Sequence, residues 1–157
     1  MPMSRKTLLE RLMASEGPVK QVLKPIDLVA LMSPYLVGRE DEALVAVALN
    51  NGNVVGIKML TTGNDIFTIV CVRQILRWVL TRRRPAQAFA LAHCHPSGST
   101  EPSEMDWTVT RVVHAGAEAI GLAFVDHLVV GRSGDWKSMA CDQRWPYDVV
   151  KSTYFTG

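Results

Sequence analysis

The chain has 157 residues, 48% hydrophobic and 20% charged, with a net charge of +2 from seventeen basic and fifteen acidic side chains. That is the composition of a globular protein large enough to bury a core without disulfide staples, and its charge is too balanced to imply a nucleic-acid partner. The N-terminal stretch interrupts its apolar residues with charges, unlike a signal peptide, and no apolar run reaches the roughly 20 residues of a membrane span.

Residues 4–15 read as a helix, with Leu8, Leu9, Leu12 and Met13 on one face and Gly17-Pro18 as its stop. A second amphipathic helix is expected from Pro25 to Leu36, with Asp27 near its positive end. The pattern then changes. Glu42 to Leu49 and Val54 to Leu60 are strand-like, and Asn50-Asn51-Gly52-Asn53 between them makes a β-hairpin. Residues 72–83 read as a helix running into Arg82-Arg83-Arg84-Pro85, where cations suit the negative helix end and proline forbids continuation. Ala88 to His93 is a short buried strand, followed by a loop with two prolines, a glycine and three hydroxyl residues. Ser103 starts another helix through Met105, Val109, Val112, Val113 and Ile120. Leu122 to Val130 is a strand, Gly131–Gly134 a turn, and Trp136 to Met139 a last short strand. The end of the chain, 141–157, has no clear period, and Trp145 and Tyr147 are expected to pack on the body. Three widely spaced cysteines (Cys71, Cys94, Cys141) suit reduced thiols in a cytoplasmic protein.

The segment His93-Cys94-His95-Pro96-Ser97-Gly98, followed by Ser103 and Asp106, carries the chemistry. A strand ending in His-x-His puts two imidazoles on one face. The next helix begins at Ser103, so Asp106 lies in its first turn, where a carboxylate can complete the set. Two imidazoles and a carboxylate are the ligands of an open zinc site, with a fourth position left for water. Ser103-x-x-Asp106 also has the form of a helix capping box, which accounts for those two residues but not for two histidines at a buried strand edge. Cys94 points to the opposite face and reads as core. His114 reads as structural. Asp126-His127 could orient a ligand from behind, although a buried hydrogen bond is the plainer reading. Arg82–Arg84 reads as a helix end rather than a nucleic-acid patch.

His-x-His, seven residues, Ser, two residues, Asp resembles the metal motif of the JAB/MPN (JAMM) metallopeptidases, and His-x-His-Pro-Ser-Gly with Pro-Ser-x-x-Asp resembles the RadC-like branch. Asp126-His127-Leu128-Val129-Val130-Gly131 resembles that branch's Asp-His strand. The resemblance covers roughly 40–140, the metallopeptidase core of a single domain over 1–157 that also takes in a helical N-terminal extension (1–39) and a C-terminal tail (141–157). It implies an α/β fold, a mixed curved β-sheet flanked by helices in a cytidine-deaminase-like layered arrangement. It implies one zinc ion held by His93, His95 and Asp106. It also implies a glutamate general base, matched by position to Glu42 with Glu40 as the alternative, and a serine, Ser103, that assists the oxyanion.

The resemblance further implies a peptidase or isopeptidase acting after the C-terminal glycine of a ubiquitin-like protein, in precursors or conjugates. Conjugation-pathway enzymes would be its partners, as in antiviral conjugation operons. The competing expectation is a DNA-associated role of the RadC type. Residues 1–41 lack the Gly-rich hairpins that a phosphate-gripping module uses, which weighs against it, as does the near-neutral charge. Zinc deaminases are set aside for want of His-x-Glu and Pro-Cys-x-x-Cys, and barrel amidohydrolases because their fold needs about 250 residues.

Overall fold

The computed structural model describes residues 21–62 and 72–146. The helix expected over 4–15 and Tyr147 lie outside them. Helix α1 (Pro25–Leu36) has proline at its first position, and Asp27 accepts the amide protons of Leu23 and Lys24 at 2.9 Å each, which satisfies donors that a helix start leaves open. Strands β1 (Ala43–Asn50) and β2 (Asn53–Thr62) form the expected hairpin. Its turn has Asn51 and Gly52 at φ 47° and 79°, the left-handed pair that matches strand twist.

Helix α2 spans Val72–Leu80, so the helix expected to reach residue 83 stops earlier. Side chains cap it there. The Thr81 hydroxyl donates to the Arg77 carbonyl at 2.8 Å, and Arg82 Nε donates to the Trp78 carbonyl at 2.7 Å, satisfying carbonyls that would otherwise call for another turn. Strand β3 (Ala88–Cys94), helix α3 (Glu104–Ala119) and strand β4 (Ala123–Val130) follow. Strand β5 is Trp136–Ser138, and Met139, expected in that strand, instead starts a 3-10 turn to Cys141.

The sheet order is β2-β1-β3-β4-β5, parallel only between β3 and β4. Strands β1, β3 and β4 are central and buried on both faces, which explains their nearly continuous apolar runs. On one face α1 packs Leu28, Met32 and Leu36 against Val45, Val47, Ala90 and Ala92. Each of those three helix side chains is fully buried, and truncating one to alanine would cost about 2–5 kcal/mol. On the other face α2 and α3 pack Ile75, Val79, Val113 and Ala117 against Ala46, Phe89, Leu91 and Phe124. Phe89 and Phe124 stack there with ring centroids 4.9 Å apart. The result is a mixed α/β sheet between helices, as expected. No helix among the described residues is long and apolar enough to cross a membrane.

Candidate metal centre

Strand β3 delivers the first histidine. Alternation turns His93 toward the α2/α3 face and Cys94 into the α1-side core, as the sequence led us to expect. Cys94 donates to the Asp41 carbonyl at 3.3 Å, and burial pushes its thiol pKa up. His95 lies just past the strand, where the chain turns: the Gly98 amide donates to the His95 carbonyl at 2.9 Å. Gly98 has φ +78°, and a Cβ there would sit 3.1 Å from Cβ of Arg132. The Arg132 guanidinium in turn donates to the Pro96 carbonyl. The glycine is therefore required twice, by backbone conformation and by close packing, and the loop carrying His95 is clamped to the end of β4.

Helix α3 delivers the carboxylate. Ser103 is the N-cap, its hydroxyl accepts the Asp106 amide proton at 3.1 Å, and Asp106 Oδ2 accepts the Ser103 amide proton at 2.6 Å. The capping box is thus real. It does not compete with the metal reading, because it is what aims Asp106. The carboxylate is 1% exposed. Its Oδ1 lies 3.3 Å from His93 Nε2 and its Oδ2 lies 2.9 Å from His95 Nε2. The two Nε2 atoms are 3.0 Å apart.

The donor set fits a metal ion. His95 Nδ1 lies 3.1 Å from the Ser99 carbonyl, which can only accept, so Nδ1 carries the proton and the neutral ring turns a bare Nε2 inward. A second imidazole nitrogen and a carboxylate oxygen face the same point, and one ligand atom from each of the three residues lies within 4.8 Å of the others. Tetrahedral ligands with bonds of about 2.1 Å stand about 3.4 Å apart, close to the 3.0 Å between the imidazole nitrogens and to the 3.3 and 2.9 Å from them to the two different Asp106 oxygens. The protonation energetics agree. In the metal-free protein burial alone would raise the Asp106 pKa, but His93 and His95, which hydrogen-bond to it when they carry a proton on Nε2, outweigh burial and hold the carboxyl well below the usual range. The Asp106 carboxylate in turn raises the pKa of His95 against the opposing effect of burial. The site calls for positive charge between these groups.

Glu42 lies one residue before β1 rather than opening it. The β1–β3 register pairs Ala43 with Cys94 and Leu44 with His93, and its continuation sets Glu42 opposite His95, on the same sheet face. The Glu42 charge helps raise the His95 pKa. Glu40 is exposed in the preceding loop. Ser103 is exposed at the start of α3, three residues before Asp106. His114 is buried on α3, edge-on to Trp145, and Trp145 packs on Phe124 at 5.2 Å, as expected of structural side chains.

Two further residues join the site. His127 Nε2 lies 2.8 Å from His93 Nδ1, and His127 Nδ1 lies 2.7 Å from the Thr110 hydroxyl. Burial, then the neighbouring His93, pushes the His127 pKa well down and keeps it neutral. Thr110 was not singled out from sequence, although it lies four residues after Asp106 on one helix, a spacing that shares a face. Asp126 turns away from the site, accepting from the Ser138 hydroxyl at 2.7 Å and the amides of His127 and Ala140.

A separate groove of about 400 Å³ runs between β2 and α2, lined by Lys58, Gln74, Arg77, Trp78 and Arg82 among others. Between Glu42 and Glu101 the sequence has six cations (Lys58, Arg73, Arg77, Arg82, Arg83, Arg84) and one acid, Asp65. Arg82 stacks on Trp78 at 4.5 Å from the ring centroid.

Comparison with known proteins gives a consistent result. The family described as RadC-like JAB domain matches residues 22–144, which takes in α1 as well as the motif-bearing region. A UPF0758 protein of Trichormus variabilis is 34% identical over 116 residues, 73% of this chain and 46% of that protein. A UPF0758 protein of Porphyromonas gingivalis is 34% identical over 110 residues, 69% and 48% of the two chains. UPF0758 protein STH371 of Symbiobacterium thermophilum is 32% identical over 126 residues, 78% and 53% of the two chains. The chain spans about half the length of these relatives.

Proposed function

Because the chain belongs to the RadC-like JAB domain family, we propose that it is a zinc-dependent metallopeptidase that hydrolyses a peptide or isopeptide bond. The observation that carries this reading is the convergence of His93, His95 and Asp106, with the carboxylate aimed by its own helix cap and the His95 lone pair aimed by the Ser99 carbonyl. Zinc held by these three residues would supply the Lewis acidity that makes water nucleophilic near neutral pH.

The remaining chemistry falls to the chain. Glu42, across the strand pair from His95, accepts the water proton at its carboxylate and returns it to the leaving amine. Ser103 accepts the Asp106 amide proton, so its own hydroxyl hydrogen remains to be donated to the oxyanion. The substrate we propose is a ubiquitin-like protein or its conjugates, cut after the C-terminal glycine, in a conjugation system such as those of antiviral defence. This assignment follows the family resemblance.

Elemental analysis of the purified chain should find one zinc per molecule, and Asp106→Ala should lose it. Full zinc retention in that variant would overturn the ligand assignment. Incubation with ubiquitin-like fusions, read by mass spectrometry, should show cleavage after glycine. A zinc-loaded protein that cleaves none of them would remove the substrate.

The basic groove favours a second reading, a RadC-like role on nucleic acid. Cations lining a concave surface beside the polar face of α2 suit a phosphate backbone. Fluorescence anisotropy with a 20-nucleotide single strand should then show binding that weakens as salt rises and is lost in Lys58→Glu/Arg77→Glu. No binding at low salt would dispose of it.

A further inference from the structure

We propose that His127 and Thr110 form a buried tautomer lock behind His93: His93 donates its Nδ1 proton to His127, His127 donates its Nδ1 proton to Thr110, and the Nε2 lone pair of His93 is thereby held toward His95 and Asp106. The proposal rests on the metal reading above and extends it to two residues that touch neither the ion nor the substrate.

The geometry allows few alternatives. His93, His127 and Thr110 are each fully buried, where a polar atom left without a hydrogen-bond partner is costly. The contacts are short, 2.8 Å between the rings and 2.7 Å from His127 to the hydroxyl. A neutral imidazole carries one N–H and one lone pair, so this chain has two polarities. In one, Thr110 donates to His127, His127 donates to His93, and the only proton left to His93 sits on Nε2, facing Asp106 at 3.3 Å. That proton occupies the direction in which a ligand lone pair is needed. In the other polarity every donor is reversed and Nε2 is bare. The reversal asks Thr110 to accept at its oxygen and to send its own hydrogen elsewhere, and Met139 Sδ, 3.8 Å away and fully buried, takes it. A hydroxyl does both tasks at once, and an apolar side chain of the same shape does neither. No ring changes charge in this arrangement.

The backbone supports the same assignment. The parallel β3–β4 register slips between Phe89/Phe124 and Ala90/Asp126, leaving Val125 as an extra residue. Below the slip, His127 faces Leu91 and Val129 faces His93. Without it, alternation from Phe124 would place Asp126 on the helical face and turn His127 away. Bulges of this kind re-aim side chains beside functional sites.

The test uses the full zinc-loaded chain with 15N-labelled histidine. A long-range 1H–15N spectrum should show His127 protonated on Nδ1 and bare on Nε2. Chelator competition should show zinc held about 10–100-fold more weakly by Thr110→Val, with Thr110→Ser within about threefold of the parent. A rescue by serine is what a merely space-filling role would not give. A zinc-loaded protein with the His127 proton on Nε2, or a Thr110→Val variant that holds zinc as tightly as the parent, would overturn the lock. Should Thr110→Val fail to fold, the tautomer measured in the parent chain still decides. A parent that binds no zinc removes the lock together with the metallopeptidase reading, whereas a zinc-binding parent with the wrong tautomer removes the lock alone.

Discussion

Replacing Ser103 with alanine separates two roles that fall on one side chain. As an N-cap its hydroxyl accepts one hydrogen bond, from the Asp106 amide at 3.1 Å. The reciprocal bond, from the Ser103 amide to Asp106 Oδ2 at 2.6 Å, is a backbone donation that alanine keeps. Half of the box is therefore lost. The cost is that of an N-cap serine changed to alanine, about 1 kcal/mol, which lowers Tm by roughly 2–4 °C for a chain of this size. Asp106 keeps its aim, so zinc content should not change. As an oxyanion donor the same hydroxyl is worth far more, since loss of one such donor lowers kcat by about 10²–10³. The missing capping bond cannot produce a fall that large in a protein that remains folded and zinc-loaded. Calorimetry, elemental analysis and steady-state cleavage of a ubiquitin-like fusion give the three readouts, and Ser103→Thr should recover the rate. A kcat within about threefold of the parent, with Tm lowered as stated, would refute the oxyanion assignment and leave the cap. Loss of zinc from Ser103→Ala would refute the claim that the backbone bond is enough to orient Asp106.

Glu42→Gln should keep zinc and lose hydrolysis while Glu40→Gln keeps both; activity surviving in the first variant and lost in the second would move the base to Glu40. Zinc affinity should fall with pH once His95 begins to protonate, by up to about tenfold per unit. The sign follows from the raised His95 pKa, caused first by the Asp106 carboxylate and opposed by burial. In the metal-free protein the charged ring stabilises the fold below the ordinary histidine pKa of about 6.5, and this contribution is lost as pH rises through the folded value. Isothermal titration across pH 5.5–8 (range chosen around that value) checks it, and a flat profile would contradict it. Gly98→Ala should destabilise the chain by at least about 1–2 kcal/mol for its left-handed backbone, more if Arg132 cannot yield at 3.1 Å, and should weaken zinc binding by loosening the His95 loop. Denaturant melts with and without zinc would show both effects.

Much of this site was legible because its signals are local. The hairpin announced itself through Asn50-Asn51-Gly52-Asn53, the strand–loop–helix unit through apolar run, proline and cap, and each element formed where its own residues asked for it. What escaped depends on pairing between distant segments. Asp126 and His127 were visible as a pair, yet which of them faces His93 is decided by the Val125 slip against β3, and an alternation count along β4 alone gives the wrong answer. Arg132 backs Gly98 from 34 positions away. The basic groove was hidden for a different reason: the net charge of +2 averages the cation-rich stretch 43–100 with acids elsewhere. Net charge bounds the long-range field, while a groove responds to the charges within a Debye length of about 10 Å.

The capping box bears on how the centre comes to exist. From sequence, Ser103-x-x-Asp106 could be a cap or part of a metal site, and those looked like rival explanations. In the fold they use different valences of one carboxylate: Oδ2 takes the Ser103 amide while Oδ1 and Oδ2 both face the imidazoles. A buried, ionised carboxylate with no cation costs several kcal/mol, and here the cost is offset in advance by a bond that forms with the first turn of α3. The Ser99 carbonyl does the same for His95, fixing its tautomer through the loop that Arg132 clamps. The three candidate ligands are thus ordered by helix initiation and loop closure, so little of a metal's binding energy would have to be spent on assembling the site.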